Sequence, residues 1–242
     1  MGDNYSGMIT NCYSAGSISG NNYVGGLVGY HYYFGMITNC YSAGSVSGNN
    51  YVGGLVGYNS YCVAITNCYS AGSVSGNNYV GGLVGYNGSN NCKSNIRNCY
   101  STGSVTGSSF VGGLVGYNYG NISSSFWDVN TSGWPTSAGG TGKTTAEMKT
   151  KSTFTSALWD FVNLWDICEG TNYPRLQWQI PSGDFLCPYG VDFTDFAILA
   201  SAWQSEPNEP TWRPACDISE PKDNFIDEFD LAVFCENWLE GQ

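Results

Sequence analysis

The feature that most constrains this chain is a near-verbatim internal repeat. The segment 7–30 returns twice more at a step of 28 residues and once at 31, marked by Cys12, Cys40, Cys68 and Cys99. A Gly-Gly-Leu-Val-Gly block at 25–29 recurs at 53–57, 81–85 and 112–116. The longer last step places an insertion at 90–94. One copy is too short to bury a core, so neighbouring copies must share one. The stretch from Ile9 to Ser14 is rich in β-branched and aromatic residues, which suits strands. Glycines bracket the other apolar segments, where they can take positive φ at corners. This predicts a mainly β fold: a β-solenoid of about four 28-residue coils, about three strands to the coil, with coils about 4.8 Å apart.

In-register stacking aligns like with like. Thr10, Thr38 and Thr66 form one row; Asn11, Asn39, Asn67 and Asn98 a second; Tyr13, Tyr41, Tyr69 and Tyr100 a third; Tyr23, Tyr51, Tyr79 and Phe110 a fourth. Asparagine ladders and stacked rings stabilise such arrays. The repeat lacks clean period-two alternation, so it does not say which rows face inward. Cys12, Cys40, Cys68 and Cys99 read as small buried hydrophobes. The unit resembles the GLUG-motif repeat, over roughly residues 7–126. The resemblance implies a secreted or surface-associated bacterial protein and a repeat without catalytic residues.

Residues 127–182 break the period and carry five tryptophans. They read as a cap or connector over the solenoid's open strand edge. Thr144 is a candidate N-cap for a short helix. The stretch from Gly139 to Thr145 imitates a phosphate loop, but that motif needs glycine where Ser137 stands.

Charge separates the remainder. The net charge is −11, and residues 183–242 hold thirteen acids against two bases. No basic stripe exists to neutralise phosphates, which argues against nucleic acid. No apolar run is long enough to span a membrane. Within 183–242 a diverged repeat pairs Asp192 and Asp195 with Asp227 and Asp230. Each pair is followed by an apolar run ending in Trp203 or Trp238. Phe196, Leu199, Ala200 and Trp203, and likewise Leu231, Phe234, Cys235 and Trp238, fit one helix face. A calcium loop places oxygen ligands at positions 1, 3, 5, 9 and 12 and a carbonyl at 7. In the second copy, counting back from Asp230 as position 12, Asp227 takes position 9, the Phe225 carbonyl position 7 and Asp223 position 5. Pro221, which cannot ligate by side chain, falls at position 3, and Asp217 serves as position 1 only if two residues are inserted, with Ser219 then able to help. In the first copy Asp184, Asp192 and Asp195 fit without insertion, while Leu186 and Pro188 occupy ligand positions.

This pair resembles a dockerin-type, EF-hand-like calcium module of two loop–helix repeats. The resemblance implies bound calcium, a cohesin-like partner and a place among polysaccharide-degrading assemblies. Cys187 and Cys216 precede the two helices at equivalent places, and a disulfide between them is expected. Cys62 and Cys92 sit in neighbouring loops and can form another. The expected organisation is a solenoid at 1–126, a connector at 127–182 and a calcium module at 183–242.

The repeats offer one acid, Asp3, where a glycosidase needs two carboxylates flanking a cleft. The lone histidine, His31, reads as a surface-loop residue. The functional expectation is a non-catalytic extracellular or cell-surface protein, with an adhesive or structural solenoid and a calcium-dependent docking module. Its partners would be a cohesin-like protein, a surface component or carbohydrate. The alternative is the non-catalytic C-terminal part of a polysaccharide-degrading enzyme. The chain opens inside its own repeat, so an export signal is expected upstream of Met1.

Overall fold

The computed structural model describes residues 2–89, 92–187 and 190–238. These form two compact units, 1–159 and 160–242. Asn90 and Asn91 of the expected insertion lie outside the described residues.

The first unit is a β-solenoid in which five strands, not three, make a coil. One coil runs through Met36–Thr38, Tyr41–Ser42, Val46–Ser47, Asn50–Gly53 and Val56–Ser60. Each strand pairs in parallel with its counterpart in the next coil, building five sheets along the axis. Register follows the repeat: Ile37 opposes Ile9 and Ile65, and Tyr69 opposes Tyr41 and Tyr100. Inside, Leu27, Leu55, Leu83 and Leu114 stack beside Cys40, Cys68 and Cys99, all buried. Cys12, in the first coil, is exposed. A second cluster stacks Val24, Val52 and Val80 against Val46, Val74 and Val105.

The corners overturn the glycine expectation. At the two left-handed positions that recur in all four coils the residue is not glycine: Asn11, Asn39, Asn67 and Asn98 at one, Tyr23, Tyr51, Tyr79 and Phe110 at the other, while Tyr33, Phe34, Tyr61, Cys62 and Gly88 take positive φ in single coils. Asparagine tolerates that region. An aromatic residue there costs on the order of 1–3 kcal/mol. The motif glycines serve close approach instead. A Cβ on Gly54 would collide with the Gly82 carbonyl and the Ser70 hydroxyl of the next coil.

Ring stacking offsets the corner strain. Tyr23, Tyr51, Tyr79 and Phe110 stack with centroids 5.0, 4.8 and 4.8 Å apart. Tyr30, Tyr58, Tyr86 and Tyr117 form a parallel stack alongside. Ring planes in contact sit about 3.5 Å apart, less than the coil spacing of about 4.8 Å, so rings must tilt by roughly 45° to touch. The two stacks lean opposite ways. Tyr23 meets Tyr30 at 89° and Phe110 meets Tyr117 at 90°. Such pairs contribute about 0.5–1.5 kcal/mol each.

His31 corrects its surface assignment. It is fully buried, in register with Asn4 and Asn59. Asn59 donates its amide to Asn87 at 2.7 Å, and Asn87 to Asn118 at 2.8 Å. The Asn59 oxygen therefore accepts from His31 Nδ1 at 2.8 Å. Nε2 is left buried and without a partner. Burial pushes the imidazole pKa down to about 4, against a weaker opposing pull from Asn59.

The last coil is covered by the residues that follow it. Thr141–Lys143 adds a strand beside Phe126–Asp128. The Trp127, Trp134 and Trp159 indoles donate to the carbonyls of Trp134, Val105 and Ser124. Short helices α1 (Val129–Ser132), α2 (Thr145–Met148) and α3 (Lys151–Thr155) complete the cover. As expected, Thr144 caps α2, and Glu147 closes a capping box.

In the second unit, α4 (Phe193–Ser201) and α5 (Glu228–Glu236) flank a core of Val191, Leu199, Ala202, Cys216, Ile226 and Phe234. Phe196 and Trp203, assigned to one helix face by spacing, stay partly exposed.

Candidate functional sites

The two acidic loops are wired alike. Asp192 caps α4 and Asp227 caps α5, each in a reciprocal capping box with Asp195 or Asp230. Asp195 Oδ1 accepts from the amides of Phe185 and Leu186 at 2.7 and 3.1 Å, and Oδ2 from Asp192 at 3.1 Å. Asp230 repeats this with Ile218 and Ser219 at 2.7 and 2.9 Å, and with Asp227 at 3.0 Å. Asp184 accepts from Gly190 N–H at 2.9 Å, and Asp217 from Asn224 N–H at 3.2 Å. This pattern makes Asp217 the counterpart of Asp184, across a loop two residues longer. Spacing alone missed Asn224; like Gly190 it takes a positive φ.

The loops differ in what else holds them. Cys187 bonds to Cys168, with Cα atoms 5.5 Å apart. The expected Cys187–Cys216 disulfide is therefore wrong. Cys168, just past the strand Trp165–Asp166, is the thiol within reach. Cys216 is a free thiol in the core, its pKa pushed up to about 11 by burial. The Cys62–Cys92 pair forms as expected, with Cα atoms 5.2 Å apart. Burial also raises the Asp184 pKa, opposed by the Gly190 amide.

The donor sets fit an ion unequally. In the first loop Leu186 stands at a ligand position and Pro188 lies outside the described residues. Both Asp195 oxygens already accept backbone N–H groups, as both Asp230 oxygens do in the second loop. In the second loop Asp217 is 3% exposed, and its Oδ1 has no hydrogen-bond partner. Ser219, two residues on, is buried, while Asp223 is exposed and accepts from Phe225 N–H at 2.9 Å. Among the described residues no three His, Cys, Asp or Glu side chains converge on one point that could hold an ion.

Two apolar recesses accompany the loops. One is lined by Phe196, Leu199, Ala200, Trp203 and Leu231, the other by Phe193, Phe196, Phe234, Cys235 and Trp238. Aligning the two loop–helix copies makes them near counterparts.

On the solenoid a regular, partly exposed polar ridge leads into the Tyr23 row. Each coil contributes a hydroxyl, two amides or hydroxyls, and a ring: Ser47, Asn49, Asn50 and Tyr51 in one, Thr106, Ser108, Ser109 and Phe110 in the last. Asn78 donates to Asn50, and Asn50 to Asn22, at 2.8 Å each.

Known proteins place the repeat, not the whole chain. Residues 20–47, 48–75 and 76–106 match the GLUG motif. No family of calcium-binding modules matches the acidic region. A protein of Evansella cellulosilytica, described provisionally as a Gly-rich membrane protein, is 43% identical over 56 residues. That match covers 23% of this chain and 6% of the relative. A crystal structure from Bacteroides ovatus, described provisionally as an immunoglobulin A1 protease, shares the fold at TM-score 0.53 and 27% identity. It covers 71% of this chain, which spans 57% of that one. Among the described residues no helix is long and apolar enough to cross a membrane.

Proposed function

We propose that this chain, which carries three GLUG motifs, is a non-catalytic part of an extracellular or cell-surface protein. The solenoid is a spacer with an adhesive face. The acidic unit docks or anchors it, with calcium held in the second loop. The observation that carries the calcium reading is Asp217 Oδ1, a carboxylate oxygen buried without a partner. Leaving such a charge uncompensated is costly, and a cation is the direct remedy. Asp217, Ser219, Asp223, Asp227, Asp230 and the Phe225 carbonyl are the residues that would hold it. The first loop, with Asp184, Asp192 and Asp195, is instead closed by the Cys168–Cys187 disulfide.

The two disulfides favour an oxidising compartment. The twin apolar recesses on α4 and α5 suit a protein partner, cohesin-like in the dockerin analogy. That analogy also supports the alternative, attachment to a polysaccharide-degrading enzyme or complex.

Calorimetric titration of the EDTA-stripped full chain with calcium tests the reading. One saturable site is expected, lost in Asp217→Asn and kept in Asp184→Asn. No heat at millimolar calcium, or equal binding by both variants, would remove the ion from the account.

A further inference from the structure

The ridge running into the Tyr23 row has a chemistry that the spacer role does not use. At its aromatic position four successive coils hold a ring in left-handed backbone. The other left-handed position that recurs in these four coils is filled by asparagine, Asn11, Asn39, Asn67 and Asn98, which tolerates that conformation. The ridge corner could have been built the same way. Its end rings, Tyr23 and Phe110, are about half exposed, and Tyr51 and Tyr79 between them are half-buried.

The surroundings say what could lie there. The solenoid's first 126 residues carry only Asp3, Lys93 and Arg97 as charged residues, and none belongs to the ridge rows. Burial holds the Tyr51 phenol above its ordinary pKa, so it is neutral at physiological pH. A charged ligand finds no counter-charge. Hydrogen-bonding capacity is ample: each ladder amide uses one N–H and one oxygen lone pair along the row, leaving the second of each. The rings repeat at 5.0 and 4.8 Å, close to the length of one pyranose unit in an extended β-1,4-linked chain. Such a chain carries hydroxyl rims beside apolar C–H faces, matching the ladder amides beside the outward edges of the stacked rings.

We propose that the ridge centred on Ser47, Asn50, Tyr51, Ser75, Asn78 and Tyr79 binds an uncharged β-1,4-linked glycan lying along the solenoid axis, one sugar to a coil. The proposal deepens the adhesive reading of the solenoid and rests on it. It is independent of the calcium loops, so its test is run in EDTA.

The full chain is titrated with cellohexaose and mannohexaose, and in parallel with curved maltohexaose and charged hexagalacturonate. Saturable binding of at least one uncharged β-1,4 hexamer is expected, with none of the other two. Tyr51→Asn plus Tyr79→Asn keeps a residue suited to left-handed backbone and should weaken binding at least tenfold. Tyr51→Phe plus Tyr79→Phe, and separately Asn50→Ser plus Asn78→Ser, install what the last coil already carries. These variants should fold and lose binding several-fold. Failure of both β-1,4 hexamers to bind, or preference for hexagalacturonate, overturns the proposal. Undiminished binding by the tyrosine and asparagine variants would keep an adhesive solenoid but overturn this ridge as its site.

Discussion

His31 is the one break in a buried amide row, and its chemistry should be visible in the stability of the chain. Asn59, Asn87 and Asn118 pass a hydrogen bond along the coils, and His31 joins through one nitrogen while burying the other unpaired. Its folded pKa, about 4, lies below the unfolded value of about 6.5. The unfolded chain therefore binds more protons between these values. The contribution is intact above pH 6.5, falls as pH drops towards 4, and levels off below. At pH 5 the loss should reach about 2 kcal/mol. His31→Asn restores an amide to the row and removes the titration. Urea unfolding at pH 7 and pH 5 should show that loss in the native chain and little of it in the variant. Parallel pH dependence in the two would place the proton elsewhere.

Individual strands reveal why only part of the fold was legible in the sequence. Register was legible because each row aligns identical residues one period apart, and a slipped pairing would break every row. The inward face was not, because Asn11 and its counterparts reset the chain direction between Ile9 and Cys12. That turn removes the period-two alternation by which a strand is read. The Asn39 corner separates Met36–Thr38 from Tyr41–Ser42, one of the breaks that make five strands of a coil where three were expected. The duplicated acidic wiring was legible in its Asp pairs and in the two-residue insertion after Asp217. The Cys168–Cys187 bond was not, since nothing in the spacing brings Cys168 to the first loop. His31 would have been found by counting one period forward to Asn59. The motif glycines make their own prediction. Gly54→Ala puts a methyl against the Gly82 backbone of the next coil, whereas a Cβ on Gly16 meets nothing within 4 Å. Gly54→Ala should cost about 3 kcal/mol or more, because backbone cannot step aside as a side chain can. Gly16→Ala should change stability by less than about 0.5 kcal/mol. Denaturant midpoints of the two variants measure this, and similar values would mean the coils are less tightly apposed.

At the scale of the whole molecule, two units with separate cores should unfold separately. The solenoid's stability accumulates coil by coil through nearest-neighbour stacking, over buried rows that run unbroken from Leu27 to Leu114. The second unit is small and rests on a few residues around Leu199 and Phe234, together with its disulfide. Each unit contains one disulfide, and a closed loop of this size contributes about 3 kcal/mol. Reductant should therefore lower both transitions in calorimetry. Calcium should discriminate between them, because the loop proposed to hold it lies in the second unit alone. Calcium at a hundredfold excess over its Kd would stabilise that unit by about 2.7 kcal/mol. For a unit of this size, that shift should raise its midpoint by roughly 10–20 °C and leave the solenoid's midpoint in place. Asp217→Asn should abolish the shift without moving the solenoid transition. If calcium moved both transitions together, the units would be unfolding as one cooperative body, and the division of labour between spacer and dock would have to be abandoned.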